Sequence, residues 1–263
     1  MDRPTLADSH AHLADEQLRD RVAEIVEEAS EAGVERILAV GTDLQSSEES
    51  LRISERFPGV FAAVGIHPQE ARSFDSSSLE VLRALASHPK VVAIGEIGLD
   101  YYRAESPGDA QRLAFDAQLH LAAECELPVV VHNRSADSDV LRMIGQVQRP
   151  APLTGRSGVL HCFGGNSADA IRAHELGFFV SYAGNLTFKN AEPMRVVAQS
   201  LPIEWLLVET DSPYLAPEPR RGRVNAPVNV ALVAERLAVL HRVPLGNLAK
   251  QTFVNAQELF RWA

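Results

Sequence analysis

The sequence predicts an α/β fold, a (β/α)8 TIM barrel with an additional C-terminal helix. Three observations lead to this expectation. The chain has 263 residues, a length at which α/β barrels commonly occur as one domain. Eight short apolar runs recur along it, and segments with helical spacing lie between them. We expect one domain over residues 1–263, with an open doubly wound sheet as the alternative for the same alternation.

The predicted strands follow one another along the whole chain, at residues 5–8, 34–40, 60–66, 91–94, 128–131, 158–160, 178–182 and 206–209. Between them, apolar residues three and four positions apart predict helices, as at Leu18, Val22, Ile25 and Ala29. Two further helical segments, 225–242 and 245–261, follow the last strand. The loop 216–227 is rich in Pro and Arg, and after the last strand of a barrel it lies over the catalytic face.

The composition is that of a soluble globular protein, with 46% hydrophobic and 23% charged residues. No run is apolar enough for a signal peptide or a membrane span, so we expect a cytoplasmic protein. A net charge of −10 excludes a global basic field for nucleic acid, so a polyanionic substrate must be held locally or through metal ions. Cys125 and Cys162 form no CxxC pair and predict reduced thiols. Nothing indicates an obligate protein partner, and we expect a monomer.

Five of the nine histidines lie at or just beyond the ends of predicted strands: His10, His12, His67, His132 and His161. Alternate side chains of an extended segment point the same way, so His10 and His12 project together, with Asp8 one layer below them. An HxH pair alone is weak support for a metal site. The remaining histidines do not cluster, and we expect them on the surface or satisfied within the core.

Four further residues of metal-ligand type, which could bind an ion together with His10 and His12, lie at other strand ends: Glu96, His132, His161 and Asp211. In a closed barrel these ends converge on one pocket. A bare acid or imidazole is costly to bury unless it is paired or coordinated. Six ligand-type residues exceed what one ion commonly takes, which favours two divalent ions bridged by a carboxylate. The alternative is a polar network without metal.

Several sequence strings resemble, in order, the motifs of the TatD family of metal-dependent deoxyribonucleases. They are His10-Ala-His12, Gly65-Ile-His67-Pro68, Gly95-Glu96-Ile-Gly-Leu99-Asp100-Tyr101-Tyr102, His132-Asn-Arg134, His161-Cys-Phe163, Thr187-Phe188-Lys189-Asn190 and Glu209-Thr-Asp211-Ser-Pro213-Tyr214-Leu215. The resemblance implies a TIM barrel of the amidohydrolase-like superfamily. It also implies hydrolysis of phosphodiester bonds, usually by a 3′ exonuclease acting on DNA or RNA.

The resemblance further implies a division of the ligands between two ions. One ion would lie on His10, His12, Glu96 and Asp211, and the second on Glu96, His132 and His161. Glu96 would bridge them, and Asp211 is suited to accept the proton of the attacking water. Mg²⁺ or Mn²⁺ is the family expectation, while imidazole and carboxylate ligands also suit Zn²⁺ or Co²⁺. The family often has Gly-Lys-x-Asn-x-Pro where this chain has Gly222-Arg-Val-Asn225-Ala-Pro227, a change that alters hydrogen-bond geometry.

Other polar residues near the strand ends are candidates for substrate binding and support. We expect His67 to contact substrate phosphate or to hold the hydrogen bonds of the pocket. Bidentate phosphate contacts are expected from arginines in the surrounding loops, namely Arg103, Arg134, Arg221 and Arg223. Three acids are expected to accept hydrogen bonds from ligand histidines: Asp8, Asp100 and Glu209. Tyr101 and Tyr102 either stack on a terminal base or pack within the fold.

The leading hypothesis is a 3′–5′ exonuclease whose substrate and partner is nucleic acid. One rival keeps the metal site but hydrolyses an ester or amide, because some TatD-like proteins resemble deacylases of D-aminoacyl-tRNA. A second rival is a non-enzymatic binding module. It is disfavoured because every proposed ligand is present.

Overall fold

The computed structural model describes residues 4–103, 105–147 and 156–262. Within them, eight parallel strands form one sheet in the order β1 to β8, alternating with helices. The strands are β1 Leu6–Ala11, β2 Val34–Val40, β3 Val60–Val64, β4 Val91–Asp100, β5 Val129–Arg134, β6 Gly158–Leu160, β7 Phe178–Tyr182 and β8 Leu206–Val208. The helices are α1 Val22–Glu31, α2 Leu44–Arg56, α3 Ser76–Ala86, α4 Gly108–Glu124, α5 Asp137–Gln146, α6 Ser167–Glu175, α7 Glu192–Ser200, α8 Val230–His241 and α9 Leu245–Phe260. The predicted (β/α)8 barrel with an additional C-terminal helix is confirmed.

The barrel closes between β1 and the residues that follow β8. Ala11 and Ser212 form a parallel bridge. The His12 amide donates to the Ser212 carbonyl at 2.7 Å, and the Asp211 amide donates to the His10 carbonyl at 2.9 Å. Three of the residues predicted to bind metal therefore belong to the backbone that closes the barrel.

Several strands end at other positions than the apolar runs predict. β4 continues from Ile94 to Asp100, and β5 continues from Val131 to Arg134. The two extensions pair with each other, with Gly98 opposite His132. Backbone pairing continues where the side chains turn polar, so the apolar pattern underestimates both strands. β3 and β8 end earlier than predicted, at Val64 and Val208.

Side-chain caps fix the starts of several helices. Asp43 accepts a hydrogen bond from the Ser46 amide at the start of α2, and Asp75 accepts one from the Ser78 amide at the start of α3. Such caps satisfy amides that the first helical turn leaves unpaired. In the described part of the chain, no helix combines the length and hydropathy that a membrane span requires.

The C-terminal helix closes the end of the barrel opposite the site. Leu259, Phe260 and Trp262 join the apolar cluster of Leu38, Phe61, Val130, Phe179 and Leu207, whose members come from the barrel strands. The Trp262 ring lies 5.5 Å from the Phe61 ring and 4.9 Å from the Phe260 ring, measured between centroids. Trp262 is only 2% exposed. The helix thus seals the barrel interior and contributes to stability rather than to the site.

Replacing Trp262 tests whether this packing stabilises the fold. We expect Trp262→Ala to lower the free energy of unfolding by about 3 to 5 kcal/mol, because it leaves a cavity among large apolar side chains. Val254→Ala is the control, in the preceding helix α9, since Val254 is exposed, and we expect a change within about 0.5 kcal/mol. Urea unfolding followed by circular dichroism measures both. An equal loss in the two variants would contradict this role for Trp262.

Candidate metal centre

The barrel mouth gathers imidazoles and carboxylates from most of its strands around one buried side chain. Glu96, on β4, is 2% exposed. Its two carboxylate oxygens lie within 3.6 Å of ring nitrogens of five histidines: His10, His12, His67, His132 and His161. Residues far apart in sequence thus meet at one carboxylate, as strand ends do in a closed barrel.

The two oxygens of Glu96 face different histidines. Oε2 lies 3.4 Å from His10 Nε2 and 3.6 Å from His12 Nε2. Oε1 lies 2.8 Å from both His132 Nδ1 and His161 Nε2. The carboxylate therefore separates the histidines into two groups, one for each oxygen.

Asp211 joins the group that contains the β1 histidines. Its Oδ1 lies 3.4 Å from His12 Nε2 and 3.8 Å from His10 Nε2. The Asp211 backbone is left-handed, with φ of 54°, a conformation that non-glycine residues seldom adopt outside functional sites and tight turns. The hydrogen bond from its amide to His10 holds this backbone in place.

The outward-facing nitrogens of three histidines lie near fixed acceptors. His12 Nδ1 lies 3.2 Å from the Val40 carbonyl oxygen. His132 Nε2 lies 3.4 Å from Asp100 Oδ2, and His161 Nδ1 lies 3.5 Å from Glu209 Oε1. A neutral imidazole carries one proton. When the inward nitrogen binds a cation through its lone pair, this proton lies on the outward nitrogen, where the acceptors face it.

The inward nitrogens lie close together in pairs. His10 Nε2 and His12 Nε2 are 3.2 Å apart, and His132 Nδ1 and His161 Nε2 are 3.3 Å apart. Each pair also faces a carboxylate oxygen of Glu96. Acceptors packed this closely in a buried site require a cation, either a proton or a metal ion. The donor set fits divalent metal, and His10, His12 and Glu96 form one group with ligand atoms within 4.8 Å of one another.

His67 differs from the other four histidines. Its Nδ1 accepts a hydrogen bond from the Gln69 amide at 3.2 Å. A neutral ring must then carry its proton on Nε2, which lies 3.4 Å from Glu96 Oε1. His67 therefore presents a hydrogen-bond donor to the cleft, although its distances also group it with Glu96 and His132 as a possible metal ligand.

The three acids that were expected to accept hydrogen bonds from histidines differ in their partners. Asp100 and Glu209 face rings of the candidate ligands His132 and His161, as described above. Asp8 instead accepts hydrogen bonds from the Thr210 amide and hydroxyl and from the His10 backbone amide, and not from an imidazole ring. Asp8 lies deeper along β1, where Thr210 is its nearest partner. Burial raises the pKa of Asp8 to about 8, although the Thr210 hydrogen bonds oppose this.

The charges of the cluster shift one another's pKa values. Burial would raise the pKa of Glu96, but His161, His67 and the remaining imidazoles hold it well below its usual range. Burial would lower the pKa of His161, but Glu96 and Glu209 hold it well above that of an ordinary histidine. The pKa of His12 and that of His132 are also raised, against the effect of burial, by hydrogen bonding with Asp211 and Asp100 respectively. Protons therefore compete strongly for these lone pairs.

Only two of the four predicted arginines reach the cleft above this cluster. Arg103 and Arg134 line that cleft, whose volume is about 830 Å³. The Arg134 guanidinium also lies 4.3 Å from the centre of the Tyr102 ring. Arg221 and Arg223 are absent from the described lining, and Arg221 instead stacks on Phe188. The sequence places Arg221 and Arg223 in the loop after β8, but it does not show how that loop folds.

Several hydrogen bonds that position the site were not predicted from the sequence. Gln69 donates to Asp100 Oδ2, and the amides of Tyr102 and Arg103 donate to its Oδ1. Asn225 donates to the carbonyls of Thr210 and Tyr214, on either side of Asp211 in the chain. The partners of Gln69 and Asn225 do not follow from their distance to a strand end.

Comparison with known proteins agrees with this geometry. Residues 7–261 match the family model described as TatD related DNase. The chain belongs to the TatD family. It is 39% identical over 256 residues to the uncharacterized metal-dependent hydrolase YabD of Bacillus subtilis, covering 97% of this chain and 99% of the relative. It is 34% identical over 242 residues to the 3′-5′ ssDNA/RNA exonuclease TatD of Citrobacter rodentium, covering 90% of each chain.

A solved structure supports the same assignment. The crystal structure of YJJV, a TatD homologue from Escherichia coli K12, superimposes with a TM-score of 0.90 at 30% identity, covering 97% of this chain and 98% of that chain. The chain is therefore a metal-dependent hydrolase of the TatD family. This finding excludes the non-enzymatic alternative.

Proton competition makes metal binding depend on pH. A histidine must lose its proton to bind metal, and the pKa values of His12, His132 and His161 are raised. We expect the affinity for Mn²⁺ to fall as the pH decreases from about 8 to about 6, with the loss beginning above the usual histidine pKa of about 6.5. Isothermal titration calorimetry at several pH values measures this.

An exposed histidine provides the control for this titration. His120 is exposed and contacts Asp116 on the same helix, α4, so His120→Gln is expected to leave the pH profile unchanged. An affinity that stays constant between about pH 8 and about pH 6 would contradict metal binding by these imidazoles.

Proposed function

We propose that this chain is a 3′–5′ exonuclease that hydrolyses phosphodiester bonds of DNA or RNA with two divalent ions. The proposal rests on the position of Glu96, whose two carboxylate oxygens face two separate groups of histidines. One shared carboxylate between two sets of imidazoles is the arrangement expected of a binuclear site.

The proposed ligands follow from this division. His10, His12, Asp211 and Glu96 Oε2 would hold one ion. His132, His161 and Glu96 Oε1 would hold the other. Mg²⁺ or Mn²⁺ is proposed, with Zn²⁺ or Co²⁺ as alternatives that the same ligands accept. When bound, such ions lower the pKa of a water molecule and stabilise charge on phosphoryl oxygens.

Residues of the chain supply the remaining chemistry. Burial would raise the pKa of Asp211, but His12 and His10 hold it below its usual value, so Asp211 is ionised at neutral pH. Its position at the cleft suits it to accept the proton of the attacking water. His67 directs its Nε2 proton into the same cleft and is suited to donate to a phosphate oxygen.

Local charge offsets the acidity of the whole chain. Arg103 and Arg134 line the cleft and are proposed to contact the phosphates of the strand that enters it. An exonuclease holds only the end of a strand, so a net charge of −10 does not prevent binding at a site with divalent ions. The exonuclease name of the Citrobacter rodentium relative supports this substrate class. A single domain, a monomer and a cytoplasmic location stay predictions.

Cleavage of labelled single strands tests the proposal. With Mg²⁺ or Mn²⁺, we expect the protein to shorten a 5′-labelled strand progressively from its free 3′ end. Glu96→Gln removes the shared charge, and we expect at least a roughly 100-fold loss of this activity, in line with the loss of a group that stabilises transition-state charge. Glu70→Gln removes a carboxylate from the lining of the same cleft, and we expect activity within about twofold of wild type, as for a contact outside the ligand set.

Two results would contradict the proposal. One is a preparation that leaves the strand intact with every metal yet deacylates D-tyrosyl-tRNA, which would indicate ester hydrolysis at the same site. The other is a Glu96→Gln variant with full metal-dependent cleavage.

A further inference from the structure

A second cleft lies directly beside the metal cleft. Its volume is about 640 Å³, and it lies between the loops that follow β6 and β7 and the first turn of α7. Four residues line both clefts: Asp137, Gly164, Asn185 and Met194. The two clefts therefore form one continuous groove that leads from the metal centre toward α6 and α7.

An aromatic ring with a cation stacked on it borders the second cleft. Phe188 lines the cleft, and the Arg221 guanidinium lies 3.9 Å from the centre of its ring. Arg221 makes no ion pair with any residue that the structure describes. Its charge is therefore free to interact with a ligand, and nucleobases stack both on aromatic rings and on guanidinium planes.

Hydrogen bonds hold both partners of this stack. Arg195 is buried and donates to the carbonyls of Leu186 at 3.2 Å and Phe188 at 2.7 Å. The Glu218 amide donates to the Thr187 hydroxyl at 2.8 Å, which joins the loop of Arg221 to the loop of Phe188. A platform fixed in this way loses little conformational entropy when a ligand binds.

The rest of the lining suits a neutral, flat ligand better than a phosphate. It includes Asn166, Asn190, Met194 and Val197. Its two carboxylates already accept hydrogen bonds within the protein, Asp137 from Asn133 and Asp169 from the Asn166 amide. Asn185 Oδ1, in the wall shared with the metal cleft, is buried and has no hydrogen-bond partner among the described residues. Amides, apolar side chains and a stacking platform together match a nucleobase.

We propose that the second cleft binds bases of the single strand upstream of the scissile phosphate, with one base stacked on the Phe188–Arg221 pair. This inference rests on the proposed function and adds the path of the strand. The strand would leave the metal centre past Gly164, where an added Cβ atom would meet no heavy atom within 4 Å. Strand length, and not the chemistry of the diester alone, would then determine KM.

Steady-state kinetics on two substrates test this path. Bis(4-nitrophenyl) phosphate occupies only the metal cleft, whereas a single strand of about ten nucleotides would extend into the second cleft. We expect Phe188→Ala to raise KM for the strand about tenfold, the effect of losing one base stack, with kcat for the strand and kcat/KM for the small diester within about twofold of wild type. Gly164→Leu adds a side chain to the passage shared by the two clefts and is expected to raise KM for the strand.

Val196→Ala is the control. Val196 is exposed on α7, next to residues of the second cleft, but it belongs to the described lining of neither cleft. We expect this variant to leave both substrates unaffected. A selective rise in KM for Val196→Ala instead of Phe188→Ala would overturn the proposed path, and so would a Phe188→Ala variant with wild-type KM for the strand. Failure of the wild-type protein on both substrates would contradict the proposed function itself.

Discussion

The burial of Glu96 among five imidazoles is the interaction on which the site depends. An isolated ionised carboxylate would be costly in this interior, because burial removes its hydration. Here the two oxygens together face ring nitrogens from several strands, and protons or metal ions held by these nitrogens would balance the charge. The carboxylate therefore stays ionised, and its pKa is well below its usual range. The same charge raises the pKa of His161, so protons and metal ions compete for one set of lone pairs.

Closure of the barrel and orientation of the rings are linked. The hydrogen bonds that join β1 to the residues after β8 involve the backbones of His10, His12 and Asp211, so the closing seam and the metal centre share residues. Outside the cluster, Val40, Asp100 and Glu209 place acceptors near the outward nitrogens of three rings, where they face the ring proton when the inward nitrogen binds a cation. His67 Nδ1 instead accepts a hydrogen bond from the Gln69 amide. Its Nε2 proton therefore faces the cleft, which distinguishes His67 from the four histidines around it. The site is thus a consequence of strand order together with a few fixed partners.

Much of this arrangement could be predicted from the sequence, because the carboxyl ends of all strands in a closed barrel meet at one face. Eight apolar runs predicted eight strands, and residues such as Glu96 and Asp211 stood out as polar groups directly after them. Other features depend on contacts that no spacing encodes. Asp8 pairs with Thr210 across the closing seam, and Arg221 stacks on Phe188 because Glu218 bonds to Thr187. The paired extensions of β4 and β5 were missed because their side chains are polar while their backbones continue the ladder.

Anomalous diffraction from crystals grown with Mn²⁺ tests whether Glu96 divides the histidines between two ions, since it locates metal ions without reference to activity. We expect two peaks on opposite sides of the Glu96 carboxylate. One would lie against His10, His12 and Asp211, and the other against His132 and His161, with His67 outside both coordination shells. A single peak, or a peak coordinated by His67, would contradict the division of the histidines by Glu96.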